Sequence, residues 1–162
     1  MTAKPKPVKQ PKKKRKVASE RHQLEKRLDD LVSAIVILRD GKCVTCGTLD
    51  GLTCSHFVKR EKKVVRWSLE NCNAMCASCN LRHNYYPGAY AMYIEGHYGL
   101  EVMHQLYIAE TINAYKWSIP DLLNRVIMLT NEFRAQVHAH PEHAEWAYKR
   151  IGLSVRCTIS VV

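Results

Sequence analysis

The chain has 162 residues and a formal net charge of +10, and this length favours one domain with a modest core. No apolar run approaches the roughly 20 residues that a membrane helix needs, and no apolar segment follows the basic N-terminus as in a signal peptide. The sequence therefore argues against membrane and secreted proteins, and we expect a cytoplasmic protein without a membrane partner.

The positive charge is concentrated in residues 1–18, which contain eight Lys or Arg and no acidic residue. This Pro- and Lys-rich segment cannot bury enough apolar surface to offset the entropy lost on ordering, so we expect a disordered basic tail. Its PKKKRKV run matches a monopartite nuclear import signal. Three interpretations stay open: an engineered tag, a natural nuclear address, and an arm that contacts DNA phosphates. The basic residues of the run are Lys12, Lys13, Lys14, Arg15 and Lys16.

The first predicted element is a helix over residues 20–40, where apolar residues recur three and four positions apart. Ser19 is a suitable N-cap, and Gly41 provides the stop. We assign residues 19–41 to this N-terminal helix and expect it to serve in packing.

A small core is predicted for residues 42–86. Two β-prone runs, 52–58 and 64–69, flank a charged turn over 59–63, and a short helix should follow over 77–84. The order is a β-hairpin followed by a helix.

The rest of the chain, residues 87–153, is predicted to be a C-terminal helical region, and residues 154–162 form a β-prone tail that we do not place. The fold class expected for the whole chain is α+β, with a small metal-bound core flanked by helices. The helices predicted in the C-terminal region cover residues 89–97, 100–111, 119–137 and 142–150.

The seven cysteines are an odd number, which argues against a closed disulfide framework. Cys43 and Cys46 form one CxxC pair, and Cys76 and Cys79 form a second. Two such pairs can close a tetrahedral zinc site with no open coordination position, so we expect a structural Zn²⁺. The remaining cysteines, expected to be small buried hydrophobic residues, are Cys54, Cys72 and Cys157.

Four polar residues lie in or near the segment between the two cysteine pairs. His56 is in the first β-prone run and Asn71 follows the second, while Asn80 and His83 share one face of the short helix. Phosphodiester cleavage needs a base to deprotonate water and a cation to stabilise charge on the phosphate. Neutral imidazole suits the base near pH 7, and Asn and His are neutral metal ligands that leave positions for phosphate oxygens and water.

We therefore predict a one-metal nuclease site in which His56 is the general base. Asn80 and His83 are the predicted ligands of a catalytic Mg²⁺ or Mn²⁺, and Asn71 is expected to lock the loop and orient His56. Basic residues in and after the charged turn are expected to contact DNA phosphates, although a solvated turn is an equal alternative for any single lysine. The predicted DNA contacts are Lys59, Arg60, Lys62, Lys63, Arg66 and Arg82.

Several ordered blocks resemble the HNH endonuclease superfamily and, within it, the lambda NinG (Rap) family. The blocks are CVTCGTL at 43–49, SHF at 55–57, RWSLEN at 66–71 and CASCN at 76–80. Tyr90, the Gly-Leu-Glu at 99–101 and the KWSI at 116–119 continue the likeness, which covers roughly residues 43–120.

The resemblance implies a zinc-ribbed ββα-metal fold and divalent-metal-dependent DNA cleavage in a phage setting. It further implies branched recombination intermediates, such as Holliday junctions and D-loops, as substrates. His56 matches the family's base, Asn71 its central Asn, and Asn80 the Asn after the last cysteine. Because resolution of branched DNA calls for two coordinated cuts, a homodimer is a further possibility.

Three positions depart from the family pattern. Ser55 occupies the place where many HNH proteins have an Asp or His ligand, Asn73 the place of a His, and His83 the place of a Lys. A hydroxyl is a weak ligand, and this departure keeps a different class of protein open, a non-catalytic zinc-ribbon DNA-binding module. A third alternative is an HNH nuclease that cuts duplex DNA.

Overall fold

The computed structural model describes residues 19–152. The predictions for the basic tail, for Cys157 and for the β-prone end lie outside the described residues. Within them the chain is α+β, with six helices and one two-stranded antiparallel sheet. The elements are α1 (Glu20–Asp40), β1 (Leu52–His56), β2 (Cys72–Cys76), α2 (Ala77–His83), α3 (Gly88–Tyr98), α4 (Leu100–Thr111), α5 (Ile119–Ala139) and α6 (Ala144–Arg150), with a 3-10 turn at Pro141–His143.

Helix α1 has the predicted bounds because both ends are capped as the sequence indicates. The Ser19 side chain accepts a hydrogen bond from the backbone N–H of His22, and Gly41 adopts a left-handed conformation with φ of 62°. Its N–H donates to the carbonyl of Ile37 at 3.1 Å. Such a left-handed residue after a helix is strained for any residue but glycine.

The β-hairpin differs from the prediction in its second strand. Strand β1 was expected over 52–58 and ends earlier, at His56; strand β2 occupies Cys72–Cys76 and not 64–69. Residues 62–68 instead form successive turns, in which the N–H of Val65 donates to Lys62 and that of Ser68 to Val65. The prediction of a strand over 64–69 was wrong because β-branched and aromatic residues there pack into two hydrophobic cores from a loop. The observed strand β2 is buried along its whole length. Asn71 therefore precedes the second strand and does not follow it.

One core forms where α1 packs against α5, α6 and the sheet. Leu28 and Ile35 of α1 and Phe133 of α5 are fully buried there, together with Trp67 from the loop and Cys72 from β2. This core covers one side of the hairpin and holds it against α1.

A second core lies on the cysteine side of the hairpin. Tyr90 and Ile94 of α3 and Leu106 of α4 are buried against Met75 and three of the four CxxC cysteines. Because α2 lies between the hairpin and α3, this core sets the position of α2.

The helices after residue 87 largely follow the predicted bounds. Helix α4 spans Leu100–Thr111 as predicted, and α5 begins at Ile119 with a capping box between Ser118 and Asp121. The last predicted helix is divided into the 3-10 turn and α6. None of the helices within residues 19–152 is long and apolar enough to cross a membrane.

Candidate active site and metal centre

The two CxxC pairs form one cluster, which we call the cysteine tetrad: Cys43, Cys46, Cys76 and Cys79. The four sulfur atoms lie within 4.8 Å of one another, and the Sγ atoms of Cys46 and Cys76 are 3.8 Å apart. A tetrahedral zinc ion with Zn–S distances of about 2.3 Å places its sulfurs about 3.8 Å apart. The tetrad could therefore hold a metal such as zinc.

The pKa values of two tetrad thiols are shifted in opposite directions. Hydrogen bonds from the Ser78 hydroxyl and the Cys79 backbone lower the pKa of Cys76 to about 6. Burial and the neighbouring thiols raise the pKa of Cys79 to about 12. Four crowded thiols cannot all ionise without a cation among them, because each thiolate disfavours the next. A divalent ion among the four sulfurs would offset this repulsion and allow all four to bind as thiolates.

His56 ends strand β1, and a backbone carbonyl fixes its ring. Its Nε2 lies 3.1 Å from the carbonyl oxygen of Arg66, and because a carbonyl only accepts, Nε2 carries the proton. The Nδ1 atom of the neutral ring then has a free lone pair. Burial lowers the pKa of His56 below its usual value of 6.5, so the ring is neutral at pH 7 and suited to accept a proton.

Asn80 follows the tetrad directly on α2, and its amide faces strand β1. The Ser55 hydroxyl, which is buried, donates to its Oδ1 at 2.7 Å. An amide oxygen has two lone pairs, so Oδ1 keeps one for a second partner.

His83 lies one turn further along α2 and is held between two aromatic rings. The ring of Phe57 stacks on it at 6.0 Å and that of Tyr90 meets it edge-on at 4.8 Å. Its Nε2 donates to the carbonyl of Phe57 at 3.3 Å. Its Nδ1 is buried and has no hydrogen-bond partner among residues 19–152. A buried nitrogen lone pair without a partner is costly unless it binds something else, and a cation is one candidate.

His56, Asn80 and His83 line one open cleft of about 730 Å³. Lys59 and Arg60 from the charged turn line the same cleft. The structure thus brings together three of the four residues that the sequence predicts for the reaction.

Asn71, the fourth, is completely buried behind the loop and does not line the cleft. Its Oδ1 accepts from the N–H of Val58 at 2.7 Å, and its Nδ2 donates to the carbonyls of Val58 and Val65 at 3.0 and 3.1 Å. These bonds close the loop between the strands, while the bond that holds the ring of His56 comes from Arg66. Asn71 therefore acts on the site through the loop.

Asn73 is also fully buried. Arg39 and Tyr98 donate to its Oδ1, both at 2.9 Å, and its Nδ2 donates to the hydroxyl of Tyr90 at 3.1 Å. With its amide fully engaged in this network, Asn73 ties α1 and α3 to the hairpin.

Three of the six residues predicted to contact DNA phosphates form ion pairs with acidic residues of α1. Arg66 makes a two-pronged pair with Asp29 at 3.0 and 2.7 Å, Arg60 also pairs with Asp29, and Lys63 pairs with Glu25 at 2.8 Å.

The other three predicted DNA contacts differ in whether their side chains have a partner. Lys62 donates to Asn113 at 2.6 Å. Lys59 and Arg82 are exposed and have no side-chain partner within the described range. These two are the most available for a phosphate.

The cleft also contains residues that the sequence analysis did not assign to the site: Cys54, Glu61, Asn84, Tyr107 and Glu110. Glu61 was hidden among basic neighbours in the charged turn. Tyr107 and Glu110 lie on α4, and only the packing of α3 and α4 brings them to the cleft. No local spacing in the sequence signals that approach.

Comparison of the chain with protein-family models, with curated proteins and with solved structures gave no match in any of the three.

Proposed function

We propose that this chain is a divalent-metal-dependent DNA endonuclease of the zinc-ribbed HNH (ββα-metal) type. The observation that carries the proposal is the cleft in which His56, Asn80 and His83 meet beside Lys59 and Arg60. A base, two neutral metal donors and cationic groups for phosphate are the parts that hydrolysis of a phosphodiester requires. The resemblance of the ordered sequence blocks to the NinG (Rap) family supports the same assignment.

The cysteine tetrad serves, in this proposal, as a structural zinc site. It joins the loop after α1 to the end of β2 and the start of α2. Asn80 follows Cys79 immediately, so an ion at the tetrad fixes the direction in which the helix presents Asn80 and His83. A closed four-cysteine site leaves no coordination position for chemistry.

His56 acts as the general base through Nδ1. The lone pair on Nδ1 takes a proton from water, whose oxygen forms a bond to phosphorus as the bond to the leaving oxygen breaks. The ring then carries a positive charge, and the Arg66 carbonyl at Nε2 stabilises it. The lowered pKa keeps the ring unprotonated before the reaction.

A catalytic divalent ion would be held by Oδ1 of Asn80 and Nδ1 of His83. When bound, such an ion stabilises charge on the phosphate and on the leaving oxygen. Both donors are neutral, and one is an imidazole nitrogen, so the pair favours Mn²⁺ over Mg²⁺. We accordingly expect faster cleavage with Mn²⁺.

The substrate we propose is branched DNA, on the strength of the resemblance. Two coordinated cuts would need two active sites, and a homodimer would supply them. Apolar side chains exposed on the helices after residue 87 offer surface for such a contact, and the exposed ones include Met92, Leu100, Ile108, Leu123, Ile127 and Met128.

A second candidate function is a zinc-ribbon DNA-binding module without catalysis. The position of Ser55 favours it, because Ser55 stands where many HNH proteins have an Asp or His ligand. Its hydrogen bond to Asn80 also occupies one lone pair of a proposed metal donor. Such a module would bind DNA with the same cleft and basic groups, independently of Mg²⁺ or Mn²⁺.

The test is cleavage of a labelled four-way junction beside a linear duplex of equal composition, with Mn²⁺, with Mg²⁺ and with EDTA. Binding of both DNAs is measured in parallel by mobility shift. We expect metal-dependent cutting of the junction, with the duplex cut slowly or not at all. Equal cutting of both DNAs would support a duplex-cutting nuclease, and tight binding without cleavage in either metal would support the non-catalytic module.

A further inference from the structure

We propose that Cys54, His56 and Cys72 form a second zinc site, distinct from the tetrad, in which a ring nitrogen of His56 is one of the metal ligands. The two cysteines were expected to be hydrophobic packing residues only. The structure instead places one ligand atom from each of the three residues within 4.8 Å of the others. We call these three residues the hairpin cluster.

The register of the hairpin explains the cluster. His56 and Cys72 are directly opposed in the antiparallel pair β1–β2, and opposed residues have Cβ atoms about 4.5–5.5 Å apart. Cys54 lies two residues before His56 and so shares its face of the strand. A one-residue shift of either strand would separate the three side chains.

The donor set is one that zinc uses with an open position. Two thiolates and one imidazole give three protein ligands and leave the fourth position for water or another ligand. Bond lengths of about 2.0–2.3 Å require ligand atoms about 3.5–3.8 Å apart, and the ligand atoms of the cluster lie within 4.8 Å of one another, so a contraction of roughly 1 Å is enough. Thiolate and imidazole favour Zn²⁺ strongly over Mg²⁺.

An ion can reach the cluster from solvent. Cys54 and His56 line the catalytic cleft, and both also line a neighbouring cavity of about 300 Å³ beside Asp29 and Arg66. Cys72 is fully buried behind them, and its Sγ lies 3.5 Å from the same Arg66 carbonyl that holds His56. The ion would therefore enter from the side of Cys54 and His56, and Cys72 would bind it from the protein interior.

The consequence for catalysis rests on the proposed function. When a ring nitrogen of His56 binds zinc, the ring cannot also take a proton from water in the cleft. Zinc at the hairpin cluster should therefore inhibit cleavage supported by Mn²⁺ or Mg²⁺, while the tetrad keeps its own ion.

The first arm of the test counts metal and does not depend on activity. The full-length chain with Cys157→Ser, and the same chain with Cys54→Ser or Cys72→Ala added, are equilibrated with Zn²⁺ under a phosphine reductant, desalted and analysed by mass spectrometry for zinc per chain. We expect about two zinc ions in the parent and about one in each variant. Two variants are used because Cys72 is buried and its replacement can perturb folding, whereas Cys54 is half-buried. One zinc ion in the parent would overturn the site.

The second arm measures inhibition. Junction cleavage in Mn²⁺ is titrated with Zn²⁺, each protein being normalised to its own rate without zinc. Loss of even a supporting partner of a ligand weakens metal binding by about 10–100-fold, so we expect the half-inhibiting zinc concentration to rise by about 100-fold in Cys54→Ser. Equal inhibition of parent and variant, with two ions bound in the parent, would contradict the inhibitory role. Absence of cleavage in every protein would contradict the proposed function and leave the metal count as a separate result.

Discussion

At the scale of single residues, Asp29 binds two of the cationic side chains near the cleft and so makes them less available to DNA. Its carboxylate binds Arg66 through both oxygens, and it also accepts from Arg60 and from the indole N–H of Trp67 at 2.9 Å. Burial alone would raise the pKa of this carboxyl, but the hydrogen bonds from Arg66, Trp67 and Arg60, together with the charge of Arg66, outweigh burial and lower it. The sequence predicts that Arg60 and Arg66 contact DNA phosphates. In the structure both pair with Asp29 and connect the loop after β1 to α1.

The Asp29 network should contribute stability that depends on pH. A carboxyl with a lower pKa in the folded state stabilises the fold above its unfolded pKa, and that contribution is lost as the pH falls through the folded value. We expect Asp29→Asn to lower the free energy of unfolding by about 2 kcal/mol at pH 7, with a smaller difference from wild type below about pH 4. Urea denaturation at both pH values measures this.

A matched control for that prediction is the neighbouring Asp30→Asn. Among residues 19–152, Asp30 pairs only with the exposed Lys26 one turn earlier on α1, at 2.5 Å, and such helix pairs contribute about 0.3–0.5 kcal/mol. Equal effects of the two substitutions at pH 7 would show that the network around Asp29 carries no special stability.

Free and paired lysines in the charged turn should differ in DNA binding. Lys59 is unpaired among the described residues and lines the cleft, whereas Lys63 is paired with Glu25. We expect Lys59→Ala to reduce the slope of log affinity against log salt by about 1, the loss of one phosphate contact, and Lys63→Ala to change it less. Junction binding across a salt series, without divalent metal, measures both slopes, and a larger effect of Lys63 would refute this division of roles.

At the scale of elements, the loop between β1 and β2 is the part that sequence patterns describe least well. Val64, Val65 and Trp67 have strand-like composition, but Trp67 is in the α1 core and Val65 takes part in turns. Composition reports that a residue suits a half-buried surface, and it does not report whether that surface is a strand or a loop packed on a helix. By contrast, α1 was predicted to the residue because its two caps are local signals at Ser19 and Gly41.

Asn71 should be required for that loop more than for the chemistry. Three bonds to backbone groups of Val58 and Val65 depend on its amide, and each lost bond to a buried group costs about 1 kcal/mol. We expect Asn71→Ala to lower the free energy of unfolding by about 3 kcal/mol, measured by urea denaturation. Asn84→Ala, at the exposed end of α2, is the control and should have little effect on stability. A fully stable Asn71→Ala protein would show that the loop closes without this side chain.

At the scale of the whole molecule, the cysteine tetrad and the α1 core lie on opposite sides of the hairpin. The tetrad was predictable because two CxxC pairs are a local pattern with one dominant explanation. The hairpin cluster was not, because Cys72 meets His56 only through a strand register that the sequence analysis placed elsewhere. Glu110 was missed for a related reason, since its approach to the cleft depends on the packing of α3 and α4.

Loss of metal from the tetrad should unfold the part of the chain around α2. We expect Cys46→Ala to lower the melting temperature and to broaden the NMR signals of the hairpin and α2, because binding of the metal contributes directly to folding. Thr45→Ala, the exposed neighbour within the same pair, should leave both unchanged. Identical melting of wild type and Cys46→Ala, with and without chelator, would contradict a structural metal.

We propose that His56 is the base of a metal-dependent nuclease, and single-turnover cleavage of a four-way junction in Mn²⁺ tests this role most directly. His56→Ala is compared with wild type and with His138→Ala, which removes an exposed histidine of α5 that does not line the cleft. We predict that His56→Ala cuts about 100-fold more slowly or worse while it binds the junction as tightly as wild type, and that His138→Ala cuts at the wild-type rate. Cleavage by His56→Ala at the wild-type rate would contradict the account.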